Sequence, residues 1–210
     1  MIWAKLITPI QRRFRRKRAA KILKRFPQIN GATVIDIGGS LAFWKTVEDI
    51  LKPARVIIYN IYDERMKMGL NATDDRIELH SYDGVRVPQD DNAAEIVICN
   101  SVIEHVPVEL RAGLASEVMR VGKHFVAQTP SRAFPLELHF GLPFVHWLPR
   151  SVGRQMVRVS PFQLLGGDDA RRYFDETRLL SRAELAEYFP QAQLEIEYFM
   201  GMPKSMLAFG

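Results

Sequence analysis

From residue 32 onward, short runs of apolar residues alternate with segments whose apolar positions recur at helical spacing. The runs 32–38 (ATVIDIG), 54–62 (ARVIIYNIY), 76–82 (RIELHSY), 94–100 (AEIVICN) and 123–129 (KHFVAQT) read as strands, several of them apolar throughout as strands buried on both faces are. Between them, 41–52 (LAFWKTVEDILK) and 108–121 (VELRAGLASEVMRV) carry helical periodicity. Strands alternating with crossover helices predict a doubly wound α/β sheet, whose ligands sit at the carboxyl ends of the strands.

Ahead of this pattern, Ile10, Phe14, Ile22 and Phe26 repeat at multiples of four, with Ala19 and Leu23 beside them, and make one narrow apolar stripe on an otherwise basic helix. Thr8, Pro9 and Gln11 offer capping-box chemistry and place the start of this helix at Thr8, while Pro27 and Gly31 end it. After the fifth strand the alternation breaks. Residues 130–167 hold five of the chain's twelve prolines, together with four Phe, Trp147, His139 and His146. That stretch is too apolar for a linker and reads as a cap inserted over the site. Ser181 and Glu184 form a second capping box, and the last 18 or so residues read as a terminal hairpin turning at Gly201.

Charge divides the chain in two. The net charge is +5, but the first 26 residues hold ten Lys and Arg and no acid, so the remainder is acidic by five charges. The organisation expected is a basic amphipathic helix over 1–31, lying on the domain or on an anionic surface, and one domain over 32–210 with a cap at about 130–167. An organelle transit peptide shares the acid-free, Arg-rich composition of this leader, although the leader contains no Ser. The single cysteine, Cys99, allows no internal disulfide or zinc cluster, which suits a reducing, cytoplasmic setting, with peripheral attachment to the inner face of a membrane as a further expectation. No run approaches the 18 or so apolar residues of a membrane span.

The strongest local signal is Asp36-Ile37-Gly38-Gly39-Ser40, an acid at a strand end followed by small residues that open a helix. A nicotinamide-type fingerprint would place G-x-G-x-x-G here, with its acid about 20 residues later; that spacing is absent. A carboxylate in the strand end disfavours phosphate and suits an amino-bearing ligand, or else simply caps the turn. On this turn, and on further matches at successive strand ends, the chain resembles the class I S-adenosylmethionine-dependent methyltransferases of the type 11 methyltransferase-domain group. Asp36, Gly38 and Ser40 fall on the family's acid-x-Gly-x-Gly turn, Asn60 on its ribose-binding acid, Asp83-Gly84 on its adenine contact, and Asn100-Ser101 on the turn after strand four.

The resemblance implies a seven-stranded, mostly parallel Rossmann-like sheet with an antiparallel terminal hairpin. It also implies S-adenosyl-L-methionine as cofactor, held by Asp36, Gly38, Gly39, Ser40, Asn60, Ile61, Asp83, Gly84, Asn100 and Ser101. Asn60 lacks the strength of a carboxylate, a role that Asp63 or Glu64 nearby can take over. The expected activity is methyl transfer to a hydroxyl of a small-molecule or lipid-linked acceptor. His139, His105 and His146 are the candidate bases, because imidazole titrates near neutrality. In the related quinone O-methyltransferases a Glu-x-x-Glu-His run is associated with a metal; Ser101 replaces the first Glu here, Glu104-His105 alone remain, and no metal site is expected. Two other classes stay open: a non-catalytic cofactor-binding scaffold, and an RNA methyltransferase gripping phosphates with the basic leader. The acidic body and the absence of an Asn-Pro-Pro-Tyr-type run after strand four argue against nucleic acid.

Overall fold

A computed structural model describes residues 2–61, 74–166 and 169–210; within the first helix the side chains of residues 2–4, 6 and 7 fall outside the description. Asp63 and Glu64 lie outside the described residues. The five apolar runs form β1 (Thr33–Ile37), β2 (Arg55–Asn60), β3 (Ile77–Ser81), β4 (Ala94–Asn100) and β5 (Gly122–Pro130). The tail folds back as β8 (Gln193–Phe199) and β9 (Met202–Phe209). Sheet order is β3-β2-β1-β4-β5-β9-β8, parallel from β3 to β5 and antiparallel thereafter. The strand order reverses between β1 and β4. The β8–β9 turn has positive φ at both Met200 (50°) and Gly201 (77°), the geometry that matches the twist of a tight hairpin.

Helices cover both faces. On one side lie α1 (Ile2–Arg25) and α2 (Leu41–Val47), burying Ile22, Phe26, Phe43, Trp44 and Val47 against Val34, Ile58, Ile98 and Leu207. On the other side α3 (Arg111–Val121) and, further on, Leu185 and Phe189 pack against Ile35, Val97, Phe125 and Ala127. The helix expected over 41–52 ends at Val47, followed by turns.

The start of α1 corrects the sequence reading. The helix begins at Ile2 and runs through Pro9, so Thr8 caps nothing at its N-terminus. Proline removes the bond to the carbonyl of Lys5, four residues back. Lys5 is exposed, so water can satisfy that carbonyl and the helix continues.

The stretch expected to form a cap folds as a small unit: a two-stranded ribbon of β6 (Leu136–Glu137) and β7 (Leu142–Pro143), then α4 (Arg150–Met156), α5 (Pro161–Leu164) and α6 (Ala170–Glu176). Its own core joins Phe140, Val145 and Val157 to Ala170 and Phe174, so the unit continues past residue 167. A parallel bridge between Ser131 and Leu180 closes its base, next to α7 (Arg182–Tyr188) with its Ser181–Glu184 capping box.

Candidate active site

Parallel register brings the predicted cofactor residues to one edge. Gly38 N–H donates to the Tyr59 carbonyl at 2.7 Å, Tyr82 N–H to the Asn60 carbonyl at 3.0 Å, and Ser101 N–H to the Gln128 carbonyl at 2.9 Å. The turns after β1, β2, β3 and β4 are thereby laid side by side at the carboxyl edge, around the point where strand order reverses. Open α/β sheets bind ligands there.

Most of the polar groups at this edge hold their own backbone. Asp36 is buried and accepts from the indole N–H of Trp44 at 2.8 Å. A Cβ on Gly39 would stand 1.9 Å from the Asp36 carboxylate, and one on Gly38, at φ +69°, would meet Val102 at 2.6 Å. Both glycines therefore make room for the chain itself. Ser40, at φ −142°, needs no glycine and caps α2 by accepting from Phe43 N–H. Asn60, 7% exposed, donates to the Gly39 carbonyl at 3.1 Å and accepts from Ile61 N–H at 2.9 Å. Asp83 accepts from Val85 and Arg86 N–H, and those bonds hold its pKa below the usual carboxylate range. Ser101 adopts φ +58°, an uncommon conformation for a residue with a Cβ, and its hydroxyl donates to Gln128.

Among the described residues, two features remain open to a ligand at this edge. Ile61 is 66% exposed and lies 3.1 Å from where Gly84 would carry a Cβ, a flat apolar shelf between the ends of β2 and β3. The exposed Asp83 carboxylate stands beside it. An apolar shelf with an adjacent acceptor fits a planar base bearing an amine.

The sequence reading missed Arg18. Its guanidinium is 4% exposed, donates to the Asn100 side-chain carbonyl at the end of β4, and pairs with the buried Glu197 at 2.9 Å. Burial alone would raise the pKa of Glu197; Arg18 and the Ser205 hydroxyl outweigh it and lower it. The signal was present in the chain, because Arg18 occupies the vacant place in the Phe14–Ile22–Phe26 stripe.

Two of the three candidate histidines, His105 and His139, come together with Glu104. Glu104, on the loop after β4, is 0% exposed; burial pushes its pKa up to about 7, and its Oε2 accepts from the Thr129 hydroxyl at 3.0 Å. His105 stacks on Tyr173 at 5.4 Å and meets His139 edge-on at 5.3 Å; burial, with His139 beside it, pushes its pKa down to about 4. His139 Nδ1–H donates to Glu137 at 2.7 Å, and although burial works against its charged form, that carboxylate raises its pKa. One potential ligand atom each from Glu104, His105 and His139 lies within 4.8 Å of the others. His146 lies apart from this trio. Its Nε2–H donates to the Arg132 carbonyl at 3.0 Å, leaving Nδ1 without a hydrogen-bond partner. His146 lines a cavity of about 650 Å³ with Arg132, Trp147, Arg178, Arg182 and Met206, between the cap and the β8–β9 ribbon.

No protein-family model matches the chain, and none of the curated protein sequences does. Solved structures do match. An S-adenosylmethionine-dependent methyltransferase from Mesorhizobium loti is 13% identical, covering 90% of this chain and 94% of that one, with a TM-score of 0.57. Magnesium protoporphyrin IX methyltransferase from Synechocystis PCC 6803, solved with S-adenosylmethionine bound, is 10% identical over 95% and 79%, with a TM-score of 0.56. A Rhodobacter sphaeroides protein provisionally described as a zinc-dependent alcohol dehydrogenase is 12% identical over 91% and 87%, with a TM-score of 0.63. The dehydrogenase description finds no support in this chain's residues. G-x-G-x-x-G is absent, and one cysteine cannot supply the Cys₂His zinc set of such enzymes. The strand order, with its antiparallel β9 inserted beside β5, and the run of methyltransferase neighbours agree that this chain has the class I S-adenosylmethionine-dependent methyltransferase fold.

Proposed function

We propose that the protein transfers the methyl group of S-adenosylmethionine to a hydroxyl of a small-molecule or lipid-linked acceptor. The observation that carries this reading is the convergence of the turns after β1, β2, β3 and β4 at the strand-order reversal. The bound cofactor supplies a methyl group already activated on a sulfonium. The chain's own work is then to position the acceptor and take its proton.

In this reading the Ile61–Gly84 shelf seats the adenine, with Asp83 accepting from its amine, while Asp36, Gly38, Gly39 and Ser40 shape the backbone around the cofactor's amino acid part. Asn100, fixed by Arg18, and Ser101 set the floor between cofactor and acceptor. The acceptor enters the 650 Å³ cavity, where Trp147 and Met206 suit an apolar portion and Arg132, Arg178 and Arg182 suit an anionic one. His146, which lines this cavity and whose buried Nδ1 has no hydrogen-bond partner, is the base. The exposed Arg12, Arg13 and Lys17 of α1 serve peripheral attachment to an anionic membrane surface on the cytoplasmic side. Among the described residues no helix is long and apolar enough to cross a membrane.

Calorimetry of the full chain with S-adenosylmethionine, followed by transfer of labelled methyl into a lipid extract, tests the proposal. Saturable 1:1 binding with label incorporation that falls at least tenfold in His146→Asn is expected. Binding without any transfer would favour the scaffold reading, which gains from Asn60 being engaged with Gly39 and Ile61. Absence of binding would sink both. Flotation with anionic and neutral vesicles tests the membrane role, and equal recovery from the two would overturn it.

A further inference from the structure

We propose that Glu104, His105 and His139 form a divalent transition-metal site whose third ligand comes from the cap, so that the ion clasps the cap to the loop after β4. The argument begins with hydrogen positions. The Thr177 hydroxyl gives its proton to the Tyr173 carbonyl at 2.7 Å, so its oxygen faces His105 Nδ1, 3.3 Å away, as an acceptor. His105 then carries its hydrogen on Nδ1, and Nε2 keeps a lone pair. His139 gives its Nδ1 hydrogen to Glu137, and in the neutral imidazole its Nε2 is then the free ligand atom. Glu104 uses Oε2 on Thr129, while the fully buried Oε1 has no hydrogen-bond partner.

Three side chains thus bring one potential ligand atom each to within 4.8 Å of the others, and the buried Oε1 of Glu104 has no hydrogen-bond partner. Buried acceptors facing one another repel unless something positive sits among them. A carboxylate on the far nitrogen of a histidine is also the arrangement that orients an imidazole toward a metal, which is how Glu137 stands to His139. Two imidazole nitrogens and one carboxylate suit Zn²⁺, Fe²⁺, Co²⁺ or Ni²⁺ over the all-oxygen sites of Mg²⁺ and Ca²⁺, and three protein ligands leave a position open. A cleft of about 390 Å³, lined by His105, Glu109, Asp175, Glu176 and Arg178, opens at His105.

Sequence spacing gave only Glu104 and His105, hence the expectation of no metal; the cap adds the third ligand by folding back over the loop. The proposal is independent of methyl transfer. It is tested on the full chain, stripped with chelator, by calorimetric titration with Zn²⁺ and by the visible absorption of added Co²⁺. Expected are one ion per chain, a cobalt spectrum, and slowed amide exchange across 131–166 when metal is added. His139→Ala should abolish the spectrum, and Glu137→Gln should weaken binding by roughly 10–100-fold, as loss of an orienting partner does. The cobalt spectrum of the unaltered chain needs no variant to fold. Absence of stoichiometric Zn²⁺ and Co²⁺ binding, or full binding retained in a folded His139→Ala, would overturn the site and leave a proton on His139 as the positive charge among these groups.

Discussion

The carboxyl edge of β1 to β4 and the pocket beneath the cap are both polar regions at the same end of the sheet, yet they spend their polar groups differently. At the strand edge Asp36 holds Trp44, Ser40 holds Phe43, Asn60 holds Gly39 and Ile61, and Asp83 holds its own turn. Each bond closes within about 20 residues of sequence, or across one pair of strands. Beneath the cap, Glu104 meets Thr129, His105 meets Thr177, and His139 and His146 arrive on a separate folded unit. There the bonds leave Glu104 Oε1 and His146 Nδ1 uncommitted. On the proposed reading the difference assigns shape to the first region and reactivity to the second: a turn whose side chains are already engaged binds through backbone and contour, whereas uncommitted lone pairs take up protons or metal.

The sharpest way to break this division is at Arg18, which couples the strand edge to the β8–β9 ribbon through Asn100 and Glu197. Removing one partner of a buried ion pair strands the other charge, at a cost of about 3–5 kcal/mol. Arg18→Ala should therefore lower unfolding free energy in urea by about that amount. Arg13→Ala, on the exposed face of the same helix, should change it by less than about 0.5 kcal/mol. Equal, small effects for the two would mean that α1 is held by its apolar stripe alone.

Asn60 tests the strand edge itself. In Asn60→Asp the side chain can no longer donate to the Gly39 carbonyl, and two acceptors face each other in a buried place, which should cost about 1–3 kcal/mol. If the residue instead reached ribose hydroxyls, the carboxylate would strengthen cofactor retention. Urea unfolding beside calorimetry with S-adenosylmethionine separates the two. We expect lower stability without a gain in affinity; tighter binding at unchanged stability would move Asn60 from buttress to ligand.

These two residues also show what the chain discloses before it folds. AEIVICN at β4 was legible to the residue, because burial on both faces leaves no other pattern, while the runs 32–38 and 54–62 overreach β1 and β2 by two and three residues. The glycine turn was legible as a motif, but the job of Gly39 was not: its neighbour is the Asp36 carboxylate, a contact that only the folded turn creates. Arg18 was masked by its chemistry, since its position on the stripe announced burial while its charge suggested solvent. The approach of His139 to Glu104 depends on how the cap folds back, and no local spacing encodes that.

The smallest effect probes the boundary between the two regions. Lys204, on β9, lies 4.0 Å over the Phe14 ring, with Arg18 and Glu197 on one side and the electrostatic reach of His139 on the other. Burial, reinforced by Arg18, pushes its pKa down from 10.5 to about 8, although Glu197 opposes the shift. Between pH 8 and 10.5 the unfolded chain then holds a proton that the folded chain has released, so the contribution of this residue to stability rises with pH across that window. Below pH 8 both states are protonated, and the cost of burying the ammonium is present in full. The stability of the native chain minus that of Lys204→Met should accordingly climb from pH 8 to 10.5, by on the order of 1 kcal/mol once solvent screening at this half-buried site is allowed for. Subtracting the variant cancels the tyrosines that titrate in the same range. A flat difference would place the ammonium in water, outside the Arg18–Glu197 neighbourhood, and would detach β9 from the coupling between strand edge and cap.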